Sequence, residues 1–364
     1  MKALHVTTHF NIGGIANYIL TLSKALKARG ISVIVASSGG DLEPELEKAG
    51  IPHRLLGIRT KSELHPKVFI SALALSRIIR EEGVQIVHAH SRVSQAASLI
   101  ACHLAGVPFV TTCHGYFKKR MRGIFDTWGA RVIAISDAVK AHLEDDLGVS
   151  GERIRVIYSG VDSRRFLKDY SVDEINDIKR SLGLRNGPVV GTIGRLSPVK
   201  GQGFLIKAMA GVISGRADAQ ALIVGNGDEE AALKEMSSSL GITDSVRFIN
   251  ADPDTARFLA VMDVFVFPSV KEGLGIALLE ALAAGSACVA SDVGGIGDII
   301  KSGTNGLLVP VGDPAAITKA VLRLLEDTAV RREMGEKGRR LVRERFSLDS
   351  MADKVVGLYK EVLK

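Results

Sequence analysis

Two glutamates with seven residues between them, Glu272 and Glu280, flank a glycine-rich turn that opens a predicted helix. An apolar strand over 264–267 leads into this turn, and a glycine closes the helix. Helix N-terminal amides and the helix dipole favour anions, and Gly273 and Gly275 let a phosphate approach the backbone closely. Within its apolar helix, the Glu280 carboxylate needs a hydrogen-bonding partner, such as a ligand hydroxyl. Phosphate recognition between two hydroxyl-binding carboxylates suits a nucleotide sugar.

Two cations, five residues apart, follow another predicted strand. Arg195 and Lys200 lie in the loop after the strand over 189–192, before the next helix. Such cations can neutralise a diphosphate leaving group without a metal. Together with the two glutamates, they predict a site for a diphosphate donor.

Glycines and histidines mark the strand ends of the first half of the chain. Gly13 and Gly14 suit either a closely approaching diphosphate or a simple tight turn. His88 and His90 alternate at a strand end, so their imidazoles share one face. A zinc pair is one interpretation, but no Cys or carboxylate cluster completes it, and a polar wall of a cleft is favoured. His114 ends the next strand, where it either donates to a sugar or phosphate oxygen or is bonded within the domain.

Apolar runs alternate with amphipathic stretches along the whole chain, which predicts parallel sheets with crossover helices. The predicted strands cover 3–7, 31–36, 86–88, 109–111, 132–135 and 154–157, then 189–192, 221–224, 246–249, 264–267, 287–290 and 307–309. A break near 163–186 separates the two series. We therefore expect an α/β protein with two Rossmann-like, doubly wound domains, 1–168 and 169–346, facing across a cleft. The dinucleotide fingerprint G-x-G-x-x-G is absent after any strand, which disfavours a nicotinamide oxidoreductase.

Charge is distributed unevenly along the 364 residues, whose net charge is +7. Residues 1–165 hold 22 Lys and Arg against 14 Asp and Glu, whereas residues 166–364 hold 25 against 26. The first half therefore offers a basic surface for an anionic partner, such as a phosphorylated glycan or an acidic lipid surface, or simply a solvated basic face. No nucleic-acid module or aromatic interleaving accompanies it, so nucleic acid is not expected.

Composition and the positions of cysteine indicate the compartment. Three scattered cysteines argue against a disulfide framework. No stretch approaches the roughly 18 unbroken apolar residues of a membrane span. The first strand begins too close to Met1 to leave room for a signal peptide. We expect a cytoplasmic protein, with peripheral association at the inner face of an anionic membrane as a further expectation.

With these residues assembled, the chain resembles the nucleotide-sugar glycosyltransferases of the GT-B fold and is similar to family 4, the retaining group. The resemblance covers essentially the whole length. Its most specific marks are Glu272 and Glu280 around Gly-Leu-Gly-Ile, and Gly194-Arg195-Leu196 followed by Lys200-Gly201. Supporting marks are Gly13-Gly14, His88-Ala89-His90, His114-Gly115, Ala134-Ile135-Ser136 and Tyr158-Ser159-Gly160-Val161-Asp162.

The resemblance implies a role for each of these residues. Arg195 and Lys200 would hold the donor diphosphate, while Glu280 would bind the ribose hydroxyls and Glu272 the donor sugar. His114 would lie beside the sugar and phosphate, so the implied catalytic residues are His114, Arg195, Lys200 and Glu272. The further donor-binding residues would be Gly13, Gly14, Gly273, Leu274, Gly275 and Ile276. No metal or other cofactor is expected, and a C-terminal helix over 347–364 would cross back to the first domain.

By the same resemblance, the protein would transfer a hexose-type sugar from a UDP-sugar, or a GDP-sugar, to an acceptor hydroxyl. The resemblance further implies retention of configuration and a glycan or lipid-linked anionic acceptor. The reaction would belong to envelope polysaccharide or lipopolysaccharide synthesis. Two positions depart from the family pattern. Asp298 replaces the usual Glu near the sugar, and Asn250 replaces the glycine that commonly follows a strand at the nucleobase pocket, which leaves the base open. The alternatives are a sugar-nucleotide epimerase of the same fold and a non-catalytic nucleotide-sugar-binding protein.

Overall fold

The computed structural model describes residues 1–60, 62–117 and 126–364. It divides the chain into two compact units, which are Met1–Gly160 with Leu348–Lys364, and Val161–Ser347. The division after Gly160 falls slightly upstream of the predicted boundary at residue 168.

Parallel strands form one sheet in each unit. In the first unit they are β1 (Lys2–Val6), β2 (Ser32–Ser37), β3 (His53–Leu55), β4 (Ile86–Ala89), β5 (Phe109–Cys113), β6 (Arg131–Ala134) and β7 (Ile154–Val156). In the second they are β8 (Val189–Ile193), β9 (Gln220–Val224), β10 (Val246–Ile249), β11 (Val264–Phe267), β12 (Ala287–Ser291) and β13 (Leu307–Val309). The sequence pattern missed only β3, because this short edge strand is partly exposed and lacks an apolar run.

Helices connect these strands and cover both faces of the sheets. In chain order they are α1 (Gly14–Ala28), α2 (Glu43–Lys48), α3 (Pro66–Glu81), α4 (Arg92–Ala105), α5 (Asp137–Ala141), α6 (Val172–Ser181), α7 (Gln202–Gly215), α8 (Glu230–Ser239), α9 (Thr255–Ala260), α10 (Ile276–Ala284), α11 (Ile296–Ile299), α12 (Pro314–Glu326), α13 (Thr328–Arg345) and α14 (Leu348–Val362). Shorter turns of other helix types occur at His142–Asp146, Gly151–Arg153, Ser163–Phe166, Pro198–Lys200 and Thr243–Ser245.

The two sheets follow one strand order, and the first has an additional strand, β7, at its edge. The order runs β3-β2-β1-β4-β5-β6-β7 in the first and β10-β9-β8-β11-β12-β13 in the second. The order therefore reverses between β1 and β4, and again between β8 and β11. In open α/β sheets, ligands bind beyond the carboxyl ends of the strands at such a reversal. The loops after these four strands are the places to look for a site.

The C-terminal helix α14 packs against α1 of the first unit, which confirms the prediction that the chain returns to its first domain. Arg29 helps to hold it there, with its guanidinium 2.6 Å from Asp353 and 3.0 Å from Asp349. The inner face of α14 carries a completely buried tyrosine, Tyr359, into the core.

No helix in the described ranges is both long and apolar enough to cross a membrane. Cys102, Cys113 and Cys288 are buried free thiols.

Candidate active site

The loops after β8 and β11 touch each other at the strand reversal of the second unit. Gly201 has φ of +68°, and a Cβ at this position would lie 2.0 Å from the Pro268 carbonyl oxygen. The Val270 amide donates to the Val199 carbonyl at 2.8 Å. The approach is so close that residue 201 must be glycine, and the backbone hydrogen bond joins the two loops.

This contact brings Lys200 and Glu272 together. The Lys200 Nζ lies 2.5 Å from Glu272 Oε2, and the side chains are 28% and 14% exposed. The Gly273 amide donates to the other carboxylate oxygen at 3.2 Å, and the ammonium lies 5.4 Å from the centre of the Phe267 ring. The two residues predicted to bind the diphosphate and the sugar are therefore neighbours in one ion pair.

Arg195 lies in the same loop as Lys200, but its side chain is exposed. The described residues offer its guanidinium no hydrogen bond or ion pair, whereas its carbonyl accepts a bond from Gln202 Nε2 at 3.0 Å. The loop is supported from β9, because a Cβ on Gly225 would lie 1.9 Å from the Gly194 carbonyl oxygen. The backbone is thus held in place, while the cation stays available to a ligand.

Helix α10 begins at Ile276, shortly after Glu272 of this ion pair. Gly275 precedes the helix with φ of +96°, and a Cβ there would lie 3.1 Å from Ile296 and 3.2 Å from Phe267. Leu274 is only 1% exposed, so its side chain belongs to the core and it can meet a ligand only through its backbone. The first amides of α10 have no partners within the helix and can bind an anion.

Glu280 lies one turn into α10 and is 16% exposed. The Thr255 hydroxyl donates to its Oε2 at 3.2 Å, and Arg165 lies 4.0 Å from its Oε1. Burial raises the pKa of the carboxyl, while Arg165 and then Thr255 oppose this rise. The sequence analysis missed both partners, because each comes from a different part of the chain and neither follows a motif.

In the first unit, strand register collects three histidines on one face of the sheet. His5 of β1 pairs directly with His88 of β4, and His90 follows on the same side. All three side chains are 0% exposed, and one ring nitrogen of each lies within 4.8 Å of the others. The prediction that His88 and His90 line a polar cleft is therefore wrong, because they are buried in the core. Their ring nitrogens are hydrogen-bonded to Thr112, Tyr359 and other imidazoles.

His114 lies just beyond β5, at the edge of this buried cluster. Its Nε2 is 3.2 Å from His90 Nδ1, and the Tyr18 ring packs edge-on against it with centroids 4.7 Å apart. Burial lowers the pKa of His114 to about 3, so its imidazole is neutral at pH 7. Its side chain is half-buried, and it can therefore both join the cluster and meet a ligand.

Gly13 and Gly14 lie after β1, at the start of α1, and both are exposed. Gly13 has an extended backbone with φ of 167°, and a Cβ on Gly14 would have nothing within 4 Å. The turn itself therefore does not require glycine at either position. Their lack of side chains leaves the backbone open to a close ligand.

A cavity of about 670 Å³ lies at the reversal between β1 and β4. It is lined by Thr8, His9, Arg59, Thr60, Ser91, Arg92 and Val93. Arg59 is exposed and has no ion-pair partner among the described residues, while Arg92 lies 3.2 Å from Glu63. Burial and then the charge of Arg59 lower the pKa of His9. None of these residues was predicted individually from the sequence. Only the net positive charge of the first half indicated a basic surface there.

Family models and curated relatives identify the family of this chain. Residues 174–341 match the family model "Glycosyl transferases group 1", and residues 12–165 match "Glycosyltransferase Family 4". The chain is 31% identical to the D-inositol 3-phosphate glycosyltransferase of Acidothermus cellulolyticus, over 96% of this chain and 86% of that protein. It is 29% identical to the phosphatidyl-myo-inositol mannosyltransferase of Mycobacterium leprae, over 96% and 93%.

Among solved structures, the Anabaena protein Alr3699/HepE in complex with UDP and glucose has the same fold. The TM-score is 0.88 at 22% identity, and 99% of each chain is covered. Both family models match this chain, and one relative is 31% identical to it over nearly its whole length. The two sheets also have the architecture of the matched structure. The chain is therefore a member of glycosyltransferase family 4, with the GT-B fold and a nucleotide sugar as its donor.

Proposed function

We propose that the protein transfers a hexose from a UDP-sugar to a hydroxyl of a small anionic acceptor, without a metal and with retention of configuration. The observation that carries this proposal is the Lys200–Glu272 ion pair at the N-terminus of α10. A cation, a carboxylate and a row of free helix amides are held there by loops that only glycine permits.

The donor site is proposed to use both charges of the pair. A diphosphate accepting from Lys200 Nζ and the α10 amides would leave the Glu272 carboxylate to accept from sugar hydroxyls. Arg195, whose guanidinium is exposed, would add a second cation to the diphosphate. Glu280 would accept from the two ribose hydroxyls, with Thr255 beside it. His114 and the Gly13–Gly14 turn of the first unit are proposed to contact the donor by resemblance to the family.

The barrier to this reaction lies in the charge that develops on the leaving diphosphate. Preorganised cations and amides stabilise that charge directly, and they need no metal to do so. No carboxylate is proposed as a nucleophile. We propose instead that the departing phosphate accepts the proton of the acceptor hydroxyl, as the resemblance to the retaining group implies. The C1–O bond to the diphosphate breaks, and the bond from C1 to the acceptor oxygen forms on the same face of the sugar.

The acceptor is proposed to bind in the cavity between β1 and β4. Arg59 and Arg92 can hold a phosphate or carboxylate, and Thr60 adds a hydroxyl donor. Two relatives are named for phosphate-bearing compounds, D-inositol 3-phosphate and phosphatidyl-myo-inositol. An anionic acceptor also fits the net positive charge of residues 1–165. We place the reaction in envelope or lipopolysaccharide glycan synthesis, in the cytoplasm and at the inner membrane face when the acceptor is a lipid.

The first experiment is calorimetric titration of the full chain with UDP, GDP and ADP. We expect UDP to bind at least tenfold more tightly than the others. The UDP-sugars are then incubated with phosphorylated polyols, with their dephosphorylated forms and with anionic vesicles. Transfer to the phosphorylated polyols alone supports the proposal, and transfer only on vesicles moves the acceptor to lipid. Conversion of the donor sugar without any acceptor would establish an epimerase, and binding of no nucleotide would reject the donor site.

A further inference from the structure

A continuous hydrogen-bond chain of buried side chains runs through the first unit and ends at His114. Its successive pairs are Thr112 Oγ1–His88 Nε2 at 2.7 Å, His88 Nδ1–Tyr359 OH at 2.7 Å, Tyr359 OH–His5 Nε2 at 3.4 Å, His5 Nδ1–His90 Nε2 at 2.9 Å and His90 Nδ1–His114 Nε2 at 3.2 Å. We call these six residues the histidine chain. Four come from strands or strand ends of one sheet face, one lies just beyond β5, and Tyr359 comes from α14.

The imidazoles of the histidine chain are neutral. Burial lowers the pKa of His5 and of His114 to about 3, and lowers those of His88 and His90 well below their usual value. A neutral imidazole has one N–H donor and one acceptor nitrogen, and a hydroxyl has one hydrogen to donate. Each imidazole therefore donates at one nitrogen and accepts at the other, whereas a hydroxyl can also accept from both of its neighbours. Three orderings follow: all bonds point towards His114, all bonds point away from it, or His88 and His5 both donate to Tyr359. Only the first ordering leaves an N–H donor at the outer nitrogen of His114.

The number of buried donors left without an acceptor distinguishes these orderings. Thr112 and Tyr359 are completely buried, and the described residues offer their hydroxyls no acceptor of good geometry other than their neighbours in the chain. If all bonds pointed away from His114, the Thr112 hydrogen would have no acceptor, and if His88 and His5 both donated to Tyr359, its phenolic hydrogen would have none. When all bonds point towards His114, both hydrogens are accepted. A buried donor without a partner costs about 1–3 kcal/mol, so this ordering is favoured.

We propose that the histidine chain holds the proton of His114 on Nδ1, so that this residue offers a fixed, neutral N–H donor to the substrate. In this ordering, His114 Nε2 accepts from His90, and only Nδ1 can carry the hydrogen. His114 then donates a hydrogen bond to an oxygen of the donor and does not act as a base. The contact with the donor rests on the proposed function, whereas the tautomer does not. Thr112, Tyr359, His5 and His90 are positioning residues.

The direct test is the tautomer itself. Two-bond ¹H–¹⁵N correlation spectra of the ¹⁵N-histidine-labelled full chain at pH 7 identify which ring nitrogen of each imidazole carries hydrogen. We expect Nδ1–H for His114, His90, His5 and His88. An Nε2–H tautomer of His114, or a doubly protonated ring, would overturn the proposal. This readout is independent of activity, so it stands even if no transfer to any acceptor is found.

Variants test whether the chain controls the tautomer. Thr112→Val removes the hydroxyl that donates to His88, and Tyr359→Phe removes the bridge between His88 and His5. Each should give a mixture of His114 tautomers and lower kcat about tenfold with little change in KM. This is less than the roughly 10²- to 10³-fold loss from deleting a transition-state donor outright. If either variant is too unstable to purify, the other variant and the wild-type spectrum still test the proposal.

The matched control is Thr111→Val. It also removes a buried threonine hydroxyl from β5, but one that donates to the Trp128 carbonyl at 2.9 Å and lies outside the chain. We expect an unchanged His114 tautomer and unchanged kcat. Equal loss of kcat in Thr111→Val and Thr112→Val, with the tautomer intact in both, would show that only packing matters. Stoichiometric Co²⁺ binding with ligand-field absorption, abolished by His5→Gln, would instead make the cluster a metal site and overturn the proposal.

Discussion

The two units share one strand order but have different chemistry at the point where that order reverses. In the first unit, the strands on either side of the reversal carry His5 and His88, which are completely buried and neutral. In the second, the loops after β8 and β11 carry the ionised pair Lys200 and Glu272, which remain partly exposed. All nine histidines of the chain lie in the first unit, and the second has none.

This difference follows from how deeply the side chains are buried. Side chains that point from the strands are covered by helices on both faces, and an isolated charge there costs many kcal/mol. The imidazoles on the strands of the first unit are therefore neutral and bonded in the histidine chain. Side chains on the loops beyond the strands keep access to water and can stay ionised. One topology thus supplies two kinds of site, one suited to ordering a proton and the other to binding a diphosphate.

We expect the first unit to unfold at a higher pH than the second when acid is added. The folded-state pKa values of His5, His88, His90 and His114 lie below the unfolded value of about 6.5, so between these values only the unfolded chain takes up the protons. The stability that these imidazoles contribute is therefore fully present above about pH 6.5 and falls as the pH decreases. Each histidine removes up to about 1.4 kcal/mol per pH unit, and the four together approach about 5 kcal/mol per unit.

The single tryptophan measures this effect, because Trp128 is 4% exposed and lies in the first unit. We expect its fluorescence to report unfolding between pH 6 and pH 4, while hydrogen exchange still shows protection of β8–β13. His103→Gln, which changes an exposed histidine, should leave the transition unchanged. Loss of both units at one pH, or a native Trp128 signal down to pH 4, would contradict the expectation.

Lys200→Ala should produce the largest loss of activity. The variant removes the half-buried cation beside α10 and leaves Glu272 to repel the diphosphate. We expect kcat to fall about 10²- to 10³-fold at saturating donor, with a smaller change in KM. Lys207→Ala, on an exposed position of α7, is the matched control and should behave like the wild type. A Lys200→Ala enzyme with normal kcat would remove this residue from the catalytic assignment.

Glu280→Ala should weaken nucleotide binding more than it slows turnover. A hydrogen bond to a charged group contributes about 1.5–3 kcal/mol, so the Kd for UDP should rise roughly 10- to 100-fold. Calorimetry measures this change, and Glu235→Ala on the exposed face of α8 is the control. We also expect the Glu280→Ala variant to bind UDP and uracil-containing ligands that lack the ribose hydroxyls with equal affinity. Undiminished binding of UDP would assign Glu280 to structure alone, through Thr255.

Arg59→Ala should have the smallest effect, confined to the acceptor. We expect the acceptor KM to rise about threefold to tenfold, with donor Kd unchanged, because an exposed cation contributes up to about 1 kcal/mol. The effect should shrink as salt is raised to 0.5 M, since exposed charges are screened. Lys67→Ala, on the exposed start of α3, is the control. An altered donor Kd in Arg59→Ala would show that this cavity does not act as a separate acceptor site.

Local pattern alone determined most of the architecture. Apolar runs placed every strand except β3, because buried parallel strands are apolar along their whole length. Spacing around Gly201 and Gly275 identified the loops of the second unit, because positive φ and close approach leave glycine few substitutes at these two positions. The C-terminal helix and its return to the first domain were also predicted.

Tertiary structure decided which residues meet. His5 and His88 are 83 positions apart, and only the register of β1 against β4 makes them neighbours. Tyr359 joins them because α14 returns to α1, and Thr255 and Arg165 reach Glu280 from separate elements. Burial also changed the interpretation of His88 and His90 from cleft wall to core. A sequence specifies each residue's chemistry and local conformation, but partners and depth depend on how distant segments pack.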